Sequence, residues 1–326
     1  MLLELASQRN VLFLGGKGGV GKTVTASAVA LHQAMAGRRV LLVSTDPAHN
    51  LGHLWEQKVG DQVVELFRTE DGTGGVDGVE IDPQATINDY LAEVGATLRD
   101  FMPQHLHPQV TQHLKLAAQT PGTHESAMLE RIAMTIEYGL DDHDLLIFDT
   151  APSGHTARLM ALPEIMTFWT EGLLNRRTKA EKFGAAIRAI DGDDDPQSAS
   201  GENRDRRIRR MLLRRKNRFE MMRNVLTDAK RTSFVIVLIG ECVPVLESIE
   251  LYAQLRDTGV DVGGFVVNRL SPTDAGEFLA SRRVQEDKHV AFLQAQLPGV
   301  STDTVPLLAG DLVGREALHQ LAHQLS

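Results

Sequence analysis

The segment whose residue types most clearly suggest chemistry is a loop near the N-terminus that is rich in glycine and lysine. Residues Gly16 to Thr23 match the spacing G-x-x-x-x-G-K-[ST], which is typical of loops that bind nucleotide phosphates. Glycines let backbone N–H groups turn towards phosphate oxygens, and a helix that begins after such a loop adds a partial positive charge. The sequence therefore predicts a phosphate-binding loop (P-loop) over Gly15–Thr23.

The patterns on either side of this loop strengthen the prediction. Val11–Leu14 has the composition of a buried strand, and the alanine-rich Val24–Met35 has that of a helix. A glycine-rich turn that matches by chance is the alternative, and the strand–loop–helix context disfavours it. We expect Lys22 at the β- and γ-phosphates and the Thr23 hydroxyl on Mg²⁺. The residues predicted to bind the nucleotide here are Gly16, Gly18, Gly19, Val20, Gly21, Lys22, Thr23 and Val24.

Two aspartates follow later apolar runs, at the positions where open α/β sheets place their ligands. Asp149 ends the run that begins at Leu145, as a Walker B carboxylate does, and is expected to act on Mg²⁺. Asp46 follows the run Arg39–Ser44 and has two interpretations. Either it orients and deprotonates the attacking water beside Mg²⁺, as one of the metal's ligands, or it caps the next helix. The residue types alone leave both open.

Five short runs of aliphatic residues, with helical patterns between them, indicate the elements that position these groups. Continuous apolar runs of this length are typical of parallel strands that helices cover on both faces. We therefore predict an α/β fold with a doubly wound, mostly parallel sheet of the P-loop NTPase type. The runs are Val11–Leu14, Arg39–Ser44, Leu145–Asp149, Phe234–Ile239 and Gly264–Asn268.

Two regions interrupt this alternation and predict an inserted α-helical subdomain. They extend from about 84 to 137 and from about 155 to 230. Residues 191–205, rich in Asp, Ser and Gly, predict a mobile acidic loop within the second region. The sequence shows no internal repeat, so it indicates a single ATPase domain over residues 1–326.

Charge and composition narrow the classes of function. A formal net charge of −9 over 326 residues argues against a general nucleic-acid binder, whose phosphate contacts require a basic surface. The single cysteine, Cys242, excludes an intramolecular disulfide and an all-cysteine zinc site within one chain. The N-terminal residues lack the pattern of a signal peptide, and no run of about 18 apolar residues predicts a membrane span. We expect a cytoplasmic protein that reaches membranes peripherally, through a partner or a surface helix.

Together these segments resemble the family of the arsenite-pump ATPases (ArsA) and of the ATPases that target tail-anchored membrane proteins. The resemblance covers nearly the whole chain and includes the P-loop, a first switch at Asp46–Asn50 and a second switch at Asp149–Thr156. Ser153 stands where the family usually has threonine and keeps the hydroxyl. The resemblance implies an ATPase that uses ATP and Mg²⁺, and it favours the water-activating role of Asp46.

The resemblance also implies contacts with the base of the nucleotide. The strand end around Asn268 resembles the family's adenine-recognition strand, which implies that Asn268 contacts the adenine. The segment around Pro306 resembles the loop on the adenine side. Gly240-Glu241 departs from the more usual Pro-Glu, so no role is carried over to Glu241.

Lys17 is a second lysine inside the P-loop, which phosphate binding in its own site does not require. It resembles the signature lysine of the deviant Walker A class, which reaches across a dimer interface to the partner's nucleotide. By that resemblance, Lys17 takes part in catalysis within a nucleotide-sandwich dimer. The partner is a second copy of the chain or a paralogous ATPase subunit. A solvated loop lysine is the alternative.

Three functions follow from these observations. The first is a nucleotide-driven dimeric switch that couples ATP hydrolysis to a membrane-protein client or a membrane partner. The second is the catalytic subunit of an arsenite or antimonite efflux pump, and the third is the regulatory ATP-binding half of a heterodimer. Metalloids prefer soft thiolate ligands, and Cys242 is more typical of a packed core residue. The sequence therefore favours the first function.

Two segments suggest how a client or a membrane could be bound. A methionine- and leucine-rich stretch predicts either an apolar binding surface or ordinary core packing. A basic segment, Arg206–Phe219, predicts an amphipathic helix for a membrane surface or a client, or a solvated helix of the subdomain. The apolar residues of the first are Met160, Leu162, Met166, Phe168, Leu173 and Leu174, and those of the second are Ile208, Met211, Leu212, Phe219 and Met222.

Overall fold

The computed structural model describes residues 1–46, 50–102, 104–120, 122–151, 160–168, 171–172 and 197–325, without the side chains of 97, 100, 101 and 197–208. The chain forms two compact units. The first, which we call the sheet unit, contains Met1–Asp82, Tyr138–Met160 and Val225–Ser326. The second, which we call the helical unit, contains Pro83–Glu137 and Ala161–Asn224.

The sheet unit is built on eight strands in the order β3-β4-β2-β5-β1-β6-β7-β8. Edge strand β3 runs antiparallel to β4, and the other neighbouring pairs are parallel. The predicted doubly wound, mostly parallel α/β class is therefore confirmed. The strands are β1 (Val11–Gly15), β2 (Arg39–Ser44), β3 (Val64–Arg68), β4 (Gly75–Glu80), β5 (Leu145–Asp149), β6 (Thr232–Ile239), β7 (Val262–Leu270) and β8 (Thr302–Pro306).

The central strands are buried along their whole length, as helices on both faces of a parallel sheet require. Phe13 of β1 lies beside Phe148 of β5 and Phe234 of β6 in the strand register. The three rings stack across the sheet, with centroids 4.7 Å and 6.2 Å from that of Phe13. This aromatic layer fixes β1, and with it the start of the P-loop, between its two neighbours.

The described part of the sheet unit contains six helices. The second of them follows the P-loop and is almost entirely buried, which explains its run of alanine and other small residues. These helices are α1 (Leu2–Gln8), α2 (Lys22–Met35), α3 (Leu51–Leu54), α9 (Cys242–Asp257), α10 (Glu277–Gln296) and α11 (Gly314–Gln324).

The described part of the helical unit consists mainly of helices. Residues 160–168 are also helical and are labelled α7. A single 3₁₀ turn, Gln104–Leu106, separates the first two helices. The helices with defined bounds are α4 (Pro83–Phe101), α5 (His107–Ala117), α6 (Thr123–Asp142) and α8 (Gln197–Thr227).

The predicted loop at 191–205 is wrong for most of its length. Helix α8 begins at Gln197, so residues 197–205 are helical, whereas 191–196 lie outside the described residues. Loops and solvent-facing helices can both have a strongly polar composition, so composition alone does not distinguish this helix from a loop.

Candidate nucleotide-binding site

The groups predicted to do chemistry meet at the carboxyl ends of three adjacent parallel strands. Leu14 of β1 and Ser44 of β2 both lie opposite Asp149 of β5 in the strand registers. The P-loop after β1, Asp46 after β2 and Asp149 at the end of β5 therefore emerge at one edge of the sheet. This is the edge at which open α/β sheets bind their ligands.

Two P-loop glycines are required by their surroundings. Gly16 has φ 143° and Gly21 has φ 95°, a region that residues with a Cβ rarely adopt. A Cβ at Gly16 would lie 2.0 Å from the carbonyl oxygen of Val237, and one at Gly21 would lie 2.2 Å from Nδ2 of Asn268. The loop therefore packs so closely against β6 and β7 that only glycine fits at these two positions.

Lys22, the first residue of α2, lies beneath the loop. Its side chain is buried, and Nζ donates a hydrogen bond to the carbonyl oxygen of Lys17 at 3.0 Å. Burial lowers the pKa of Lys22, while the charges of Asp149 and Asp46 act in the opposite direction. The ammonium group is thus fixed between the loop and the two carboxylates, where phosphates would meet it.

Thr23 and Asp149 form the second part of the site. The Thr23 hydroxyl donates a hydrogen bond of 2.6 Å to Oδ2 of Asp149, whose side chain is fully buried. Burial raises the pKa of Asp149 to about 6, although the Thr23 hydroxyl and the charge of Lys22 counteract it. Oδ1 of Asp149 is buried and has no hydrogen-bond partner among the residues that the structure describes.

This pair fits a magnesium ion. A buried carboxylate oxygen without a partner is costly, and a bound cation or its water would satisfy it. Mg²⁺ prefers carboxylate and hydroxyl oxygens, and the P-loop proteins hold it with such a pair. Thr23 and Asp149 are therefore the side chains that would hold Mg²⁺.

Asp46 lies at the end of β2 beside the same groups. Its negative charge raises the pKa of both Lys22 and Asp149, and its backbone N–H donates a long hydrogen bond of 3.4 Å to the Ser44 hydroxyl. The N-cap residue of α3 is Asn50, so the helix-capping interpretation of Asp46 is wrong. Residues 47–49 of the first predicted switch and 152–156 of the second lie outside the described residues.

Lys17 lies on the outer side of the loop. Its Nζ forms an ion pair of 3.0 Å with Oε1 of Glu247 on α9, and both side chains are partly exposed. The ammonium group is both paired and partly exposed, so the alternative of a solvated loop lysine stays open. Glu247 carried no signal in the sequence, because it is an ordinary acidic residue on a helix far along the chain.

The end of β7 holds the P-loop from behind. Asn268 is buried; its Nδ2 donates to the carbonyl oxygen of Val20 at 2.9 Å, and its Oδ1 accepts from the N–H of Arg269 at 2.9 Å. Arg269, with φ 58°, donates from its guanidinium to the carbonyl oxygen of Gly19 at 3.1 Å. The nitrogen and the oxygen of the Asn268 side-chain amide therefore both form hydrogen bonds within the protein. The adenine contact of Asn268 stays a prediction.

Arg269 is the residue that the sequence reasoning missed. A positive φ at a residue other than glycine is uncommon and often marks a functional constraint. Pro306, predicted on the adenine side, ends β8 opposite Leu270, and the N–H of Leu307 donates to the carbonyl oxygen of Leu270 at 2.8 Å. This contact joins the predicted base side to the strand that clamps the P-loop.

The expectation for the single cysteine is wrong. Cys242 is exposed, because it is the first residue of α9 and its side chain leaves the core. The preceding Glu241 is the N-cap residue and accepts a hydrogen bond of 2.7 Å from Arg282. Within the described part of the chain, no group of three or more His, Cys, Asp and Glu side chains is placed to hold a metal ion.

The fold and this site define the class of the protein: a P-loop NTPase with a complete phosphate-loop sequence, an aspartate at the end of β5 and a second aspartate after β2. The chain belongs to the ArsA_ATPase family, described as anion-transporting ATPases, whose model matches residues 9–326. The predicted family resemblance is thereby confirmed, and the protein is an ATPase.

Relatives with assigned names are similar over almost their whole length. The "ATPase get3" of Aspergillus terreus is 30% identical over 329 residues, which cover 99% of this chain and 93% of the relative. The "ATPase ASNA1 homolog 1" of Paramecium tetraurelia is 29% identical over 324 residues, which cover 96% and 91%. The "ATPase get3" of Pyrenophora tritici-repentis is 30% identical over 318 residues, which cover 96% and 90%.

The helical unit combines buried and exposed apolar side chains. Within α7, Ile165 and Phe168 are exposed, Phe168 to 76%. Phe219 and Met222 of α8 are buried, so this part of the basic segment packs in the core. Leu173 and Leu174 lie outside the described residues. Of the helices that the structure describes, none is long and apolar enough to cross a membrane.

Proposed function

We propose that this ATPase is a Mg²⁺-dependent dimeric switch that couples ATP binding and hydrolysis to a membrane-protein client. The observation that carries the hydrolytic part is the position of Asp46, whose charge acts on Lys22 and on the buried Asp149. Thr23 and Asp149 would bind Mg-ATP in an inactive subunit as well, but a further carboxylate beside them is needed to activate water. The regulatory-half alternative is therefore disfavoured.

The roles of the side chains follow from their positions. Lys22 and the backbone N–H groups of the P-loop bind the phosphates and stabilise the charge that develops during transfer. Asp46 orients the attacking water and accepts its proton. Mg²⁺, held by Thr23 and Asp149 with Asp46 nearby, would supply charge neutralisation on the phosphates.

The dimer is supported by Lys17. This lysine lies on the exposed side of the loop, away from the buried Lys22, so it does not serve its own phosphate site in the same way. We infer that it completes the site of a partner, which is a second copy of this chain or a paralogous subunit. The ion pair with Glu247 must open for Lys17 to do so.

The client is supported by apolar side chains that the helical unit leaves exposed. A flexible, apolar surface suits an apolar helix of variable sequence. These residues are Met102, Leu116, Ile165 and Phe168.

Replacing Asp46 with Asn tests the proposed function. The variant should bind ATP but hydrolyse it slowly, so it should accumulate in the ATP-bound dimer with its client. The protein would be purified from its own cells in Mg-ATP, and the proteins that come with it identified. Membrane proteins with a single apolar segment support the proposal. Asp257→Asn, at the end of α9, is the matched control and should behave as wild type.

An efflux-pump subunit is the second candidate, because the family as a whole is described as anion-transporting. If Asp46→Asn retains an integral membrane transporter instead of single-span proteins, the pump is the better assignment. Strong stimulation of ATP hydrolysis by antimonite would support the same conclusion. The single, exposed Cys242 makes weak or no stimulation the expected result. The cytoplasmic location stays a prediction that cell fractionation tests.

A further inference from the structure

The basic residues of α8 fall into two groups with different surroundings. From Arg215 to Arg223, the described basic side chains are paired with carboxylates of the helical unit. These pairs tie the second half of the helix into its own unit. They are Arg215–Glu130 (3.2 Å), Lys216–Glu171 (2.8 Å), Arg218–Glu137 (2.9 Å) and Arg223–Glu164 (3.1 Å).

The preceding two turns carry three arginines in a different state. Arg209, Arg210 and Arg214 are exposed, and none of them has a carboxylate partner among the residues that the structure describes. They project away from Phe219 and Met222, which the helix buries. Within the described part of the helical unit, their charges therefore do not contribute to packing.

A leucine lies among these arginines. Leu213 is 40% exposed, although the same helix buries other large apolar side chains further along. It is four residues after Arg209 and adjacent to Arg214, so all of these side chains share one surface. We call Arg209, Arg210, Leu213 and Arg214 the basic stripe.

We propose that the basic stripe docks the helical unit on an anionic phospholipid surface. Arginines that flank an exposed leucine match the headgroup layer of a membrane, where the charges meet phosphates and the apolar side chain enters the acyl boundary. No aromatic side chain lies in the stripe for stacking on nucleic-acid bases, which such binding would favour.

The overall charge restricts membrane docking to one part of the protein surface. The chain carries a formal net charge of −9, so a negative membrane repels most of its surface. Only a local positive patch can bind, and it brings the helical unit, with its exposed Ile165 and Phe168, to the membrane. Docking on lipid does not depend on nucleotide turnover, so it goes beyond the proposed function and can be tested separately.

Vesicle flotation tests the proposal with the full-length protein. We expect binding to vesicles that contain phosphatidylglycerol, no binding to phosphatidylcholine vesicles, and release at high salt. Changing Arg209, Arg210 and Arg214 together to Gln should weaken binding by about fivefold for each arginine removed. Leu213→Asn should weaken it further.

A matched control separates local docking from total charge. Lys230, Arg231 and Arg256 are exposed residues of the sheet unit, and changing all three to Gln alters the net charge equally. This control should bind as wild type, and both triple variants should retain ATP hydrolysis. Equal binding by the stripe variant and wild type would overturn the proposal. The proposal would also be overturned if wild type bound poly-glutamate more tightly than vesicles and the stripe variant lost this binding to poly-glutamate. The stripe would then be a protein-docking site.

Discussion

The position of the phosphate loop depends on two residues outside the loop. Asn268 and Arg269, at the end of β7, each donate a hydrogen bond to a carbonyl oxygen of the loop, at 2.9 and 3.1 Å. A loop whose backbone N–H groups must point at a ligand needs its carbonyl groups fixed on the other side. The strained backbone of Arg269 is consistent with this task, because it aims the guanidinium at Gly19.

Two substitutions at Arg269 separate the hydrogen bond from the backbone strain. Alanine keeps the left-handed φ and removes the guanidinium, whereas glycine removes both. We expect both variants to bind ATP about fivefold more weakly, since a hydrogen bond contributes roughly 1 kcal/mol. The glycine variant should be the more stable of the two, by about 1 kcal/mol, because it is free of the left-handed strain.

ATP titration and urea unfolding of both Arg269 variants provide the two readouts. Wild-type ATP affinity in Arg269→Gly would show that the guanidinium does not position the loop. Equal unfolding free energies of the two variants would show that the backbone is not strained.

Gly21 and Gly19 offer a matched pair of substitutions by alanine. Both have positive φ, 95° and 81°, but a Cβ at Gly21 would meet Nδ2 of Asn268, whereas a Cβ at Gly19 would meet nothing within 4 Å. Gly19→Ala should cost about 1 kcal/mol of unfolding free energy from strain alone. Gly21→Ala should cost a further 1–3 kcal/mol or so, because the buried Asn268 amide is displaced from Val20.

Urea unfolding measures both alanine variants, and the smaller Asn268→Ala side chain should relieve part of the Gly21→Ala defect. Equal losses at the two glycines would show that the contact with Asn268 is not constraining.

At the scale of elements, helix α8 is fixed by charges as well as by apolar packing. Glu130 of α6 is buried, and Arg215 and Arg218 approach its Oε1 at 3.2 and 3.4 Å. Arg215 also lies over the ring of Tyr90, 5.2 Å from its centroid. Burial nevertheless raises the pKa of Glu130, with the arginines acting against it. The folded unit therefore disfavours the charge of Glu130 even when both partners are present.

Removing Arg215 should expose this cost. Arg215→Ala leaves a buried carboxylate with one partner fewer, and losses of about 3 kcal/mol are typical of such changes. A carboxyl group with a raised pKa contributes stability below its unfolded pKa and loses it as the pH rises through the folded pKa. Lowering the pH from neutral protonates Glu130 and removes its buried charge. The variant's loss of unfolding free energy relative to wild type should therefore become smaller as the pH falls.

Urea unfolding at several pH values measures this deficit, and Glu130→Gln in the Arg215→Ala background should recover much of it. A deficit independent of pH would mean that lost packing, not the buried charge, destabilises the variant.

The central strands could be predicted from sequence, and the peripheral ones could not. Gly75 and Gly78 of β4 give no strand signal, yet each leaves space that a side chain of β3 occupies, Arg68 and Leu66 respectively. Strand β8 has a single buried residue, Val305, and forms because β7 offers it an edge. Such strands form because of their neighbours in the sheet, and a local sequence pattern does not reveal those neighbours.

At the scale of the whole molecule, topology explains how much of the site was predictable. Thr23 and Asp149 are 126 residues apart, and their 2.6 Å contact arises because Asp149 ends β5 and Thr23 follows the P-loop that leaves the carboxyl end of the neighbouring β1. The partners of Lys17 and of the P-loop carbonyl groups come from α9 and β7, and no motif marks them. Their roles depend on which strands the fold places beside β1.

In the proposed dimer, Glu247 and the partner's nucleotide site compete for Lys17. If Lys17 completes the partner's site, it must leave Glu247 on the same chain, and the pair then opposes dimer closure. Sizing with Mg-ATP should show a dimer for wild type and a monomer for Lys17→Ala. Glu247→Gln frees the lysine and should tighten the dimer by fivefold at most, because exposed ion pairs contribute only about 0–1 kcal/mol.

Glu250→Gln, one turn further along α9, is the control for the charge change and should leave the dimer unaltered. A strictly monomeric ATP-bound wild type would contradict the role of Lys17. A weaker dimer in Glu247→Gln would instead place Glu247 among the groups that hold the closed state together.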